Sequence, residues 1–226
     1  MATGFLESLS GVQKEEGGFG ISPGTVKNNF NALSEGRVQV HLPAYPELDP
    51  WARLAAVGGG SGRGFLWVPQ IGDEVLVAFN KNDNRDAYIL GGLWSAMNRP
   101  PASVPTDFLT KRILQTGLSD GPPGHTVEFD DALQSVKITT STSQQITLDP
   151  HQIEITTAGG VLTITLDILS VPPEITIEST GGDITLSAPA GTITLDALNV
   201  SIQSDVSTDI SSDGTVSVEG TLVTLN

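Results

Sequence analysis

Two alternation patterns divide the chain. Between residues 36 and 94, apolar side chains recur at every second position in short runs bounded by Gly, Pro, Asn and Asp: GRVQVHL, WARLAAV, GFLWVP, DEVLVAF and AYILGGLW. In DEVLVAF, Val75, Val77 and Phe79 share one face, and in GRVQVHL so do Val38, Val40 and Leu42, as a two-residue period requires. Helix-length periodicity is absent here. Five such runs predict a small β barrel, with PQIGDEV as a tight turn leading into a strand and NKNDNRDA as a polar connection.

After Lys111 the apolar residues come in isolated pairs at i and i+2: Val136/Ile138, Ile146/Leu148, Ile153/Ile155, Ile164/Leu166, Ile175/Ile177, Ile184/Leu186, Ile193/Leu195, Val200/Ile202, Val216/Val218 and Val223/Leu225. Successive pairs mostly fall 7 to 11 residues apart, an imprecise strand-plus-turn repeat of the kind that builds a solenoid or β-helix. Two aliphatic side chains per unit do not offset the conformational entropy of ordering the whole unit, so one chain alone lacks an adequate core. Three identical chains wound round one axis supply the missing contacts: each pair meets two others, Thr and Ser face outward, and strand edges pair between chains. The predicted trimer core is therefore the set of pairs from Val136/Ile138 through Val216/Val218, with Ile184 and Ile193 facing inward and Thr185 and Thr194 outward.

Composition sharpens this division. No Phe, Trp or Tyr follows Phe129, which suits an axis too narrow for rings, and residues 132–226 carry 11 acidic residues against one basic one, Lys137. The net charge of −15 and pI near 4.3 argue against general affinity for nucleic acid or for anionic membrane surfaces, both of which need clustered Lys and Arg. Without cysteine there is no disulfide framework or thiol nucleophile. The opening MATGFLESLSGVQKEEGGFG has neither the positive segment nor the apolar stretch of a signal peptide, and no apolar run reaches membrane-helix length, so synthesis in the cytoplasm is expected.

The segments SPGTVKNNFNALSEGRVQVHLP, DPWARLAAVGGGSGRGFLWVPQIGDEVLVAF and AYILGGLWSAMNRPP resemble the OB-fold domain of phage baseplate assembly protein V and VgrG-type spikes, and GHTVEFDDALQSVKITT is similar to that family's transition into a triple-stranded β-helix. The resemblance implies an all-β fold, an OB-fold barrel followed by an intertwined triple-stranded β-helix in a homotrimer. It divides the chain into an N-terminal hub-contact segment (1–20), the barrel (21–101), a linker or neck (102–125) and the β-helix spike (126–226). The implied function is that of a structural central spike in a contractile tail or injection machine, assembled into a baseplate particle and driven transiently through a target membrane. The short stretch before the barrel implies a separate hub or baseplate protein. In TVSVEGTLVTLN, Val223 and Leu225 continue the inward pattern, and a PAAR-type tip protein is expected on Thr221, Leu222, Val223, Thr224, Leu225 and Asn226.

Chemistry-bearing candidates each have a plainer reading. VGGGSGRGF lacks the Lys-Ser/Thr ending and following helix of a phosphate-binding loop, and reads as a barrel loop. Asp73 and Glu74 read as solvated carboxylates at a strand start rather than an acid/base pair. TGGDITLSA lacks the tandem repeat of calcium-binding nonapeptides. His41, His125 and His151 are isolated, and His125 in PPGHTVEFDD reads as a hydrogen-bonding neck residue. Trp51, Trp67 and Trp94 read as barrel core or trimer contacts. No catalytic, cofactor or metal site is expected, and the chain reads as non-enzymatic. A trimeric β-helical tail fibre or surface adhesin is the alternative, but its binding end should carry exposed aromatics or a globular head, and neither is in the C-terminal sequence.

Overall fold

The computed structural model describes residues 20–30, 36–102, 104–118 and 121–224. Five strands close a barrel: β1 (Ile21–Asn28), β2 (Arg37–His41), β3 (Trp51–Leu54), β4 (Glu74–Phe79) and β5 (Ala87–Leu93), in the order β1-β2-β3-β5-β4. All neighbours are antiparallel except β3 and β5. The inward side chains are those the alternation singles out: Val38, Val40, Leu42, Val75 and Val77 are fully buried, and Phe79 lies beside them with Val26, Ala52, Ala87 and Ile89.

The run GFLWVP corrects the sequence expectation, because it forms no strand. Its Phe65, Leu66 and Trp67 are exposed, and the barrel wall it was expected to supply is β1 instead. β1 is hard to read because ISPGTVKN carries Pro23 and Gly24, residues depleted in strands. Both have a place there. Pro23 lies where β1 pairs with β4 but β2 has not yet joined. Gly24 faces the interior, where an added Cβ would sit 2.4 Å from Val40 Cγ1 and 3.0 Å from the His41 carbonyl oxygen.

The parallel seam between β3 and β5 is short, with Arg53 opposite Tyr88 and Leu54 opposite Ile89. Side chains reinforce it. The Arg53 guanidinium stands 4.4 Å over the Tyr88 ring, hydrogen-bonds the Tyr88 hydroxyl, and reaches Asp86 at 2.9 Å. Asp86 also accepts from Asn80 Nδ2 (2.8 Å) and the Tyr88 hydroxyl (3.0 Å), and these donors hold its carboxyl below the usual carboxylate range.

Beyond a one-turn helix at Asp107–Thr110 comes a second sheet of seven strands: β6 (Lys111–Gly117), β7 (Pro123–Asp130), β8 (Ser135–Thr139), β9 (Gln145–Leu148), β10 (Gln152–Thr156), β11 (Leu162–Asp167) and β12 (Glu174–Ser179). Each pairs antiparallel with the next in chain order, so the sheet is a simple meander. Its first strand lies inside the 102–125 stretch that the sequence reads as a linker. Residues 183–226 form a separate unit, and its described part, 183–224, contains no strand. Among the described residues no helix is long and apolar enough to cross a membrane.

Gly24→Ala is expected to lower barrel stability by about 1–3 kcal/mol, since packed Val40 and a backbone carbonyl cannot yield to the methyl group. Gly20→Ala, whose Cβ would meet nothing within 4 Å, should be neutral. Urea unfolding of the two variants checks this, and equal midpoints would contradict the close-approach argument.

Candidate functional site

The meander sorts its side chains into continuous rows. Val127, Ile138, Ile146, Ile155, Ile164 and Ile177 stand opposite one another across six strands. Phe129, Val136, Leu148, Ile153, Leu166 and Ile175 form a second row beside the first. The other face is polar, with Glu128, Lys137, Thr147, Glu154, Thr165 and Thr176 in register. Ten of the residues expected in the trimer core, Val136 to Ile177, are thus brought together on one face.

Val127 and Phe129 were missed in the sequence, although HTVEFD shows the same i, i+2 spacing one repeat before Val136. Among the described residues of this unit nothing buries these rows. Among the described residues every buried hydrophobic lies in the barrel, between Val26 and Ile89, whereas even the best-shielded aliphatics of the rows from β9 and β11, Ile146, Ile164 and Leu166, remain 37% exposed. Apolar surface of this extent marks an interaction face, because a sheet is stable only when its hydrophobic side is packed.

The remaining expected core residues, Ile184, Leu186, Ile193, Leu195, Val200, Ile202, Val216 and Val218, lie in the 183–224 unit and are exposed there, outside any strand. Thr221, Leu222, Val223 and Thr224 are likewise exposed, while Leu225, Asn226 and residues 1–19 of the hub-contact segment lie outside the described residues.

The neck is pinned by charge. Lys111 Nζ, at the start of β6, lies 3.2 Å from Glu128, 3.6 Å from Asp107 and 3.9 Å from Asp130, tying the one-turn helix to β6 and β7. The Glu128 hydrogen bond above all, with the fields of Asp107 and Asp130, holds the ammonium above its ordinary value, against partial desolvation. Asp130 is buried and accepts from the backbone N–H groups of Ala132 and Leu133, turning β7 into β8. At the far end of β7, Gly124 passes so close to β6 that a Cβ would overlap the Thr116 carbonyl. The adjacent His125 backbone N–H donates to Thr116 Oγ1, and its Nδ1 accepts from the Ser141 N–H at 3.3 Å.

On the barrel side, an open groove of about 760 Å³ runs to β6 and is lined by Val57, Phe65, Leu66, Trp67, Trp94 and Leu114, among others. Phe65 and Trp67 stack with centroids 5.7 Å apart. Trp67 and Trp94 are 46% and 69% exposed and so belong to this groove rather than the barrel core, which is already filled by smaller aliphatics; Trp51 is half-buried on β3. The glycine-rich loop closes on itself, with Gly60 and Arg63 exchanging backbone hydrogen bonds and the Phe65 N–H donating to the Val57 carbonyl. Asp73 Oδ2 accepts from the Gln70 N–H at 2.7 Å and caps the turn before β4. Among the described residues no three His, Asp or Glu side chains converge as metal ligands.

Residues 22–94 match the type VI secretion system/phage-baseplate injector OB domain family. The chain is 32% identical over 102 residues to the actin cross-linking toxin VgrG1 of Vibrio cholerae, covering 42% of this chain and 9% of that protein. It is 32% identical over 109 residues to the type VI secretion system spike protein VgrG3 of Vibrio cholerae, covering 46% of this chain and 11% of that protein. The chain thus spans about a tenth of the length of these curated relatives.

The raised Lys111 ammonium sets a pH window. Its contribution is full below the ordinary lysine value of 10.5 and is lost as pH rises through the higher folded value. The stability gap between wild type and Lys111→Met should therefore be complete at neutral pH and close only in strong alkali, as urea midpoints will read. A gap that closes below pH 10.5, the unperturbed value, would contradict the assigned pairing.

Proposed function

We propose, on the match of residues 22–94 to the injector OB domain family and the similarity to VgrG proteins, that this chain is a VgrG/baseplate-type protein, the trimeric central spike of a contractile injection machine and the needle that pierces the target envelope. The observation that carries the reading is the pair of uncovered aliphatic rows on β7–β12. A homotrimer supplies the cover: three copies of one face can close round an axis with their polar faces, rich in Thr and Glu, turned to water. The exposed groove of Phe65, Trp67 and Trp94 offers the wide end a contact to neighbouring copies.

Piercing is mechanical in this account and needs no catalytic group. The spike acts by stiffness: backbone pairing along the whole shaft resists bending, and an acidic surface keeps the needle from adhering to itself or to anionic lipid. A separate hub or baseplate protein holds the barrel end. A PAAR-type tip protein seats at residues 221–226, where Leu222 and Val223 present exposed aliphatic surface.

Negative-stain images of the purified full-length protein test the proposal. They are expected to show a short tapered needle with a wider base, and a long fibre ending in a knob would instead support an adhesin or tail fibre.

A further inference from the structure

The outward side chains of the barrel fall into two unlike halves. On β2 and β3 they are mostly polar or charged, with Arg37 opposite Arg53 and Gln39 opposite Trp51. On β1, β4 and β5 they are apolar. Ile21 stands opposite Ala78 and Pro23 opposite Leu76, and Leu90 is the extra residue where β5 shifts register between Leu76 and Val77. Because Val75, Val77 and Phe79 point into the core, the run VLVAF is apolar on both faces, the composition of a strand buried on both sides. Yet Ile21 is 66% exposed and Leu90 49%, so among the described residues nothing buries this half.

The chain carries a segment suited to cover it. The Gly20 carbonyl accepts from the Phe79 N–H at 3.1 Å, so the chain enters β1 against the last residue of β4, next to Ile21. In the sequence before that point, Phe5, Leu6, Leu9 and Val12 are spaced to fall on one side of a helix, with Glu7 and Lys14 on the other. The pair Gly17-Gly18 permits a reversal of direction. A second copy or a separate protein would have to find the apolar half by diffusion. Residues 5–12 are joined to it through residues 13–20, and so short a tether holds them at an effective concentration on the order of millimolar.

We propose that residues 5–12 fold back over the outside of β1, β4 and β5 of their own barrel. Wound as a helix, this segment reaches about 12 Å, against about 10 Å from β1 across β4 to β5. Phe5, Leu6, Leu9 and Val12 then cover Ile21, Pro23, Leu76, Ala78 and Leu90, while Glu7 and Lys14 stay in water. The cover comes from the same chain and so is independent of the trimeric spike reading.

The chain has no natural cysteine, so introduced thiols report the contact. In the full-length protein, Leu9→Cys/Ala78→Cys treated with a short bismaleimide should link within one chain, running as a monomer on a denaturing gel and giving the 9–78 cross-linked peptide by mass spectrometry. Leu9→Cys/Gln39→Cys, whose second thiol lies on the polar half, should not link. Leu90→Cys should react with maleimide at least about tenfold faster once residues 2–16 are deleted, since labelling follows the uncovered population. Val40→Cys, fully buried, should stay unreactive in the same deletion, which shows that the barrel is still folded; where it reacts, the 9–78 link decides alone. A 9–78 link between two chains, equal linking at 9/39, no link at 9/78, or Leu90→Cys labelling unchanged in a folded deletion variant would each overturn the proposal. Native mass spectrometry reads the oligomeric state separately, and a monomer carrying the 9–78 link would sink the spike reading alone.

Discussion

Aliphatic surface left exposed on the seven-stranded sheet is the main physical constraint among the described residues. The two rows on β7–β12 run across six strands, and the antiparallel pairing of the meander sets them in register as one apolar face. A sheet bearing such a face is favourable only when packed. The Thr, Glu and Lys row behind it confines that packing to one side. The proposed homotrimer would supply that packing.

The barrel solves the opposite problem. Nine aliphatic side chains and Phe79 fill its interior, so it has a core of its own, and its specific interactions serve closure: Gly24 lets β1 approach β2, and Arg53 reinforces the short parallel seam against Tyr88 and Asp86. Between the two parts, Lys111 gathers Asp107, Glu128 and Asp130, which fixes where the sheet departs from the one-turn helix. The barrel thus has a core of its own, the charged cluster joins it to the sheet, and the sheet keeps an apolar face exposed.

Much of this was legible in the sequence because period-2 alternation translates directly into facing side chains. The barrel valines and the pairs from Val136 to Ile177 fall where their spacing puts them. The failures have physical causes. β1 is obscured by Pro23 and Gly24, whose reasons lie in tertiary neighbours β2 and β4. GFLWVP has strand-like composition, yet its aromatics stack on one another outside the barrel core. β6 hides in a segment rich in Pro and Gly.

Sedimentation equilibrium on full-length wild type, Ile164→Lys and Thr165→Lys tests the central claim most directly, since the two positions are adjacent but lie on opposite faces. Lysine at 164 would bury an unpaired charge once per copy, whereas at 165 it would stand opposite Glu154 on the polar face. Wild type and Thr165→Lys should sediment as trimers at micromolar concentration and Ile164→Lys should not. A folded wild-type monomer, or equal behaviour of the two variants, would contradict the account.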